Sequence, residues 1–149
     1  METTDEGARV IAVARSWIGT PYHHQASVKG IGADCLGLIR GIWRECFKGD
    51  VEAPANYTRD WAEANGIEAM LVGARKILVE IAADSIAPGD VIVFRLRPRV
   101  VAKHAALVAT PDTMIHAMEG CAVSEVGLSP WWRRHIAGAF RFPELFNGA

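Results

Sequence analysis

In Gly32-Ala33-Asp34-Cys35-Leu36-Gly37-Leu38-Ile39, irregular glycine-containing chain gives way to an amphipathic helix. Asp34 has the chemistry of an N-cap, a short carboxylate able to accept from the free amides of a first turn. Cys35 then lies at a helix N-terminus, near the positive end of the helix dipole. Dipole and free N–H groups both favour a thiolate, so the position is expected to lower the thiol's pKa into the reactive range. Gly32 and Gly37 allow close backbone approach on either side. Most free cysteines are buried apolar residues. Cys46, late in the same helix, and Cys121, in a strand-like run, are read as packing residues, and Cys35 as a nucleophile.

The helix capped by Asp34 is expected to run to about Phe47, with Leu38, Ile42 and Trp43 on its buried side. Upstream, Thr4 or Asp5 can cap a first helix reaching about Trp17, with Ala8, Ile11, Ala14, Arg15 and Ile18 forming one largely apolar face. Gly19-Thr20-Pro21 ends it. The polar, glycine-containing segment 22–33 reads as a loop. A third helix is expected over Arg59 to Val72, its apolar content supplied by Trp61, Ala64, Ile67, Ala69 and Leu71. Downstream the texture changes to short β-branched or aromatic runs: Ile77–Ile81, Val91–Phe94, His104–Ala109, Met114–Ala117, Cys121–Val126 and Ile136–Phe142. Helices first and strands later predict an α+β fold, N-terminal helices packed on a mainly antiparallel sheet. With no repeats, low-complexity tracts or linkers, residues 1–149 read as one domain.

Cysteine peptidase chemistry needs a base beside the thiol and a group that orients the base. His104 opens the apolar run Ala105-Ala106-Leu107-Val108, Thr110-Pro111-Asp112 makes a turn, and His116 returns on the next strand. With the turn centred near Thr110 or Pro111, the imidazoles lie close together on adjacent strands. They share a face only in a register of even parity, since a one-residue slip reverses one strand's faces. His104 is then the base and His116 accepts from its second ring nitrogen. Tyr22, in Gly19-Thr20-Pro21-Tyr22, reads as a half-buried aromatic covering the loop. Trp131, Trp132, Arg133 and Arg134 could line a groove, but an aromatic segment before a last strand is more often core.

Bulk properties exclude other classes. A net charge of −1 leaves no footprint for nucleic acid, and local clusters such as Arg95, Arg97, Arg99 and Lys103 read as solvated edges. Three cysteines without a C-x-x-C pair argue against a disulfide framework and a zinc knuckle. The adjacent His23 and His24 point in diverging directions, so no metal is expected. No apolar run approaches the roughly 20 residues of a membrane span. Met1-Glu2-Thr3-Thr4-Asp5-Glu6 lacks the basic and apolar regions of a secretory signal, so synthesis in the cytoplasm is expected.

These motifs resemble the NlpC-type, papain-like peptidases of bacterial cell walls. The likeness rests on Gly-Thr-Pro-Tyr (19–22), Asp-Cys-Leu-Gly-Leu (34–38), Pro-Gly-Asp-Val (88–91), His-Ala-Ala-Leu-Val (104–108) and Ile-His-Ala (115–117), in that order. Within that family the chain looks most like the short, signal-less members encoded among tail genes of phages and gene transfer agents. The resemblance implies a papain-like NlpC-type fold and a triad of Cys35, His104 and His116. It implies that Tyr22 lines the site and Asp34 holds the free amine of a stem peptide. It further implies cleavage between D-glutamate and a diamino acid in murein stems, no cofactor, phage-like tail proteins as partners, and action in the periplasm or cell wall. Leu36 stands where most members have serine, a departure that bears on substrate choice, and Ala105-Ala106 replaces the commoner Val-Gly. Two rivals share the scaffold: a catalytically silent structural tail component, and an acyltransferase or amidase acting on another amide.

Overall fold

The structure is a computed structural model that describes residues 5–47 and 69–147. Helix α1 (Asp5–Ser16) is followed by a small antiparallel ribbon of β1 (Ser27–Val28) and β2 (Gly32–Ala33), within the segment expected as loop. Helix α2 (Cys35–Cys46) comes next, capped by Asp34 as the sequence implies. Helix α3 (Ala69–Ile77) takes in the last residues of the expected third helix, and Trp61, Ala64 and Ile67 lie outside the described residues. It extends beyond Val72 and takes Ile77, the first residue of the run whose β-branched texture predicts a strand.

Six strands follow: β3 (Val79–Ile81), β4 (Val91–Phe94), β5 (His104–Thr110), β6 (Thr113–His116), β7 (Ser124–Gly127) and β8 (Ile136–Arg141). A four-residue helix α4 (Pro130–Arg133) precedes β8, and α5 (Pro143–Asn147) follows it. The strands form one antiparallel sheet in the order β3-β8-β4-β5-β6-β7. The fold is α+β and papain-like, as expected.

Strand periodicity separates two apolar layers. Val91, Val93, Ala105, Leu107, Ile115 and Phe140 pack with Val10, Ala14, Leu38 and Ile42 of α1 and α2. Ile92, Phe94, Ala106, Val108, Met114 and Ala139 face the opposite way and are covered by Leu128 and Trp132. All four residues of β4 are therefore buried.

Two expectations are corrected. The face of α1 that is buried consists of Gly7, Val10, Ile11 and Ala14, whereas Ala8 and Ile18 are exposed. Trp17, just beyond α1, is the anchor, its indole donating to Glu45 at 2.7 Å. A Cβ on Gly41 would overlap that indole, so the glycine makes the slot that sets the register of α1 on α2. Cys121 is exposed in a turn before β7 and is no packing residue, whereas Cys46 is buried.

Candidate active site

Cys35 is the first residue of α2 and is half-buried against the main core. Asp34 turns its carboxylate back over the helix start: Oδ1 accepts from the Gly37 amide at 2.7 Å and Oδ2 from the Gln25 amide at 2.7 Å. Gln25 adopts a left-handed φ of 64°, uncommon for a residue with a side chain, and this turn aims its N–H at Asp34. Gly37 makes the approach possible, since a Cβ there would overlap the Ala26 carbonyl. His24 Nδ1 lies 3.8 Å from the same carboxylate. Asp34 is 3% exposed, so it caps the helix and offers a ligand little surface. Among the described residues no three His, Cys, Asp or Glu side chains converge in a way that could hold a metal.

Tyr22 bridges in parallel to Ala33, two residues before the thiol. The half-buried side chain packs on the main core, as its sequence context suggests.

The even-parity register is present. β5 pairs with β6 as Leu107 to Ile115 and Val108 to Met114, with an irregularity before the turn. Continuing that pairing sets His116 opposite Ala106, so His104 and His116 are diagonal neighbours on one face. Their rings meet at 2.9 Å, His104 Nε2 to His116 Nδ1, and both residues are buried. Cys35 reaches the same strand from the helix layer: the N–H groups of Ala105, Leu36 and Cys35 itself lie against its sulfur. The thiol is thus seated on the residue next to His104.

With that geometry in view, the NlpC/P60 family profile matches residues 19–141. The chain belongs to the NlpC/P60 family. A curated relative, the gamma-DL-glutamyl hydrolase of Bacillus subtilis strain 168, is 27% identical over 137 residues, 91% of this chain and 29% of its own length. The chain therefore spans less than a third of that relative. The NlpC/p60 domain of the peptidoglycan hydrolase SagA superposes with a TM-score of 0.66 at 20% identity, covering 91% of this chain and 98% of that domain. An NLP/P60 lipoprotein-like protein of Staphylococcus aureus Mu50 gives 0.65 at 22% identity, over 95% of this chain and 43% of its own. NlpC1 of Trichomonas vaginalis gives 0.62 at 19% identity, over 95% and 45%. At such identities the solved structures establish the shared fold.

Electrostatics at this NlpC/P60 site differ from the expectation drawn from the helix start. Burial, followed by the charge of Asp34, pushes the Cys35 thiol up to about 12. The N–H groups of Ala105, Leu36 and Cys35 act the other way and are outweighed. The helix terminus does stabilise a thiolate, but loss of water around the sulfur is the larger effect. Burial likewise lowers His104 to about 3, with His116 adding to the shift, and burial lowers His116. Thiol and imidazoles are accordingly all neutral at rest.

One contact of the pair was not evident in the sequence, where Trp132 reads as core or groove lining. Trp132 of α4 is half-buried, with its ring centroid 5.8 Å from His104, 5.5 Å from His116 and 4.9 Å from Phe94. Ser129-Pro130 is a recognisable helix start. No local spacing ties residue 132 to residue 104, so the contact belongs to the tertiary fold.

Proposed function

We propose that this chain is a cysteine peptidase acting on peptidoglycan stem peptides, with Cys35 as nucleophile, His104 as base and His116 as the orienting residue. The observation carrying this reading is the 2.9 Å bond between the two imidazoles, on the strand whose Ala105 amide also contacts the Cys35 sulfur. With His104 Nε2–H donating to His116, the lone pair of His104 is on Nδ1, free to take the thiol proton. Sulfur attacks the scissile carbonyl carbon as its proton passes to His104 and then to the departing amine. Water hydrolyses the resulting thioester. Ionisation accompanies attack: charging both groups together lets each offset the other's desolvation. The Cys35 backbone N–H supplies an oxyanion donor, with Tyr22 flanking it.

Family membership supports peptidoglycan as the substrate class, the relative named gamma-DL-glutamyl hydrolase supports a glutamyl bond as the target, and the resemblance of the motifs adds the diamino acid on its other side. Asp34 holds the helix start and, through what remains exposed of its carboxylate, the stem amine. The resemblance to tail-encoded members supports a phage-like particle as carrier, which mass spectrometry of purified particles checks.

Mass spectrometry of murein digests decides the reaction. Wild-type protein is expected to release muropeptides with new diamino-acid amines, and Cys35→Ala to release none while keeping the wild-type circular dichroism spectrum. Normal cleavage by Cys35→Ala would refute the assignment. Products from a different amide would favour the amidase alternative.

A further inference from the structure

We propose that Trp132 is a positioning residue for the His104–His116 pair, fixing the orientation of both rings and keeping water from their outer face. The proposal rests on reading that pair as the base and its partner. A single 2.9 Å hydrogen bond pins one nitrogen of each ring and leaves the ring planes room to tilt about that contact. Packing removes that freedom. His104 stacks on Phe94 (26°) and lies tilted against Trp132 (33°), while His116 meets Trp132 edge-on at 88°. One indole therefore restrains both imidazoles.

The mounting of Trp132 favours this role over incidental packing. Its helix is tied to the hairpin that carries the histidines: Arg133 donates to the Pro111 carbonyl at 2.6 Å and to the Leu128 carbonyl at 3.1 Å. Leu128 in turn donates to the Asp112 carbonyl at 2.7 Å. Pro111 and Asp112 form the turn between β5 and β6, so indole and imidazoles share one frame.

The chemistry requires a neutral base at rest, and cover by an apolar ring supplies it by withholding water from an imidazolium. The rings against His104 are Phe94 from β4, His116 from β6 and Trp132 from α4, and the next residue along β5, Ala105, carries the amide that contacts the Cys35 sulfur at the start of α2. Removing the indole admits water to the side of the rings that Trp132 covers.

The test is an NMR titration of the His104 and His116 ring carbons in the full chain, for wild type, Trp132→Leu and Trp132→Phe, alongside kcat and KM on purified muropeptides. Trp132→Leu should move both titrations up toward the ordinary value of about 6.5. It should lower kcat by about ten- to a hundredfold with KM nearly unchanged. Trp132→Phe, which keeps a flat ring, should restore most of both. Unmoved titrations in a folded Trp132→Leu chain overturn the proposal whatever the activity. If that variant does not fold, Arg133→Gln loosens α4 without altering any ring and should shift the titrations the same way, and no shift again overturns it. A wild type that releases no muropeptide would defeat the reading of the reaction while the titrations still decide the role of Trp132.

Discussion

Asp34 acts on Cys35 in two opposing ways. Its carboxylate secures the first turn of α2 through the Gly37 and Gln25 amides, and its charge holds the adjacent thiol in the protonated form. Asp34→Asn separates the two. An asparagine keeps one acceptor oxygen and turns an NH2 toward the other amide, leaving a buried donor unmet, a loss of about 1–3 kcal/mol. Urea unfolding should register that loss. The same variant should alkylate faster at Cys35 with iodoacetamide at a fixed mildly alkaline pH, because the charge opposing thiolate formation has gone. An unchanged rate would show that burial alone sets this thiol. In the wild type the exposed Cys121, not Cys35, should label first, contrary to the preference a helix-start cysteine suggests. The nucleophile's identity was legible because cap, thiol and glycine are contiguous in sequence. Its acidity was not, since the burial that sets it comes from the core assembled around the thiol by helices and strands distant in the chain.

Helix α2 and the β5–β6 hairpin were readable because their determinants are local: an N-cap carboxylate, an apolar period, a Thr-Pro-Asp turn and two histidines of matching parity. Helix α1 was readable only in extent. Its sequence offers two apolar faces of similar content, and the choice between them is made on α2, where Gly41 leaves room for Trp17. The strand expected from Cys121 begins instead at Ser124, because the chain there turns to pair Val123 with the Thr20 carbonyl and Gly19 with the Val123 carbonyl. Gly41→Ala tests the slot. Its methyl group would meet the face of an indole that is 1% exposed and fixed by a 2.7 Å bond to Glu45. Overpacking of this kind costs about 1–3 kcal/mol. Thermal unfolding should show a lowered midpoint, with the β5–β6 hairpin retained in hydrogen exchange. A neutral outcome would mean that α1 does not depend on this contact.

In the molecule as a whole, the central strands of the sheet are buried on both sides, and the site's ionisable groups sit among these packed layers as neutral species. That placement links catalysis to global stability. His104 and His116 have folded pKa values below the ordinary 6.5. Between the folded and unfolded values the unfolded chain binds more protons, so stability rises with pH there. Their contribution is complete above about 6.5 and is lost as pH falls, each histidine adding a slope of up to about 1.4 kcal/mol per pH unit. Cys35 is shifted the opposite way, from 9.0 up to about 12, and Cys46 is raised as well. Above pH 9 the unfolded thiols ionise first, and stability falls as pH climbs. The expected profile is a plateau from about pH 6.5 to 9, with an acid limb owed largely to the histidine pair and an alkaline limb to the buried thiols. Denaturant titrations at successive pH values measure it directly. Replacing both histidines with glutamine should flatten the acid limb without moving the alkaline one, and Cys35→Ala should do the reverse. An acid limb that persists unchanged in the double glutamine variant would mean that carboxylates, not the buried imidazoles, govern unfolding in acid.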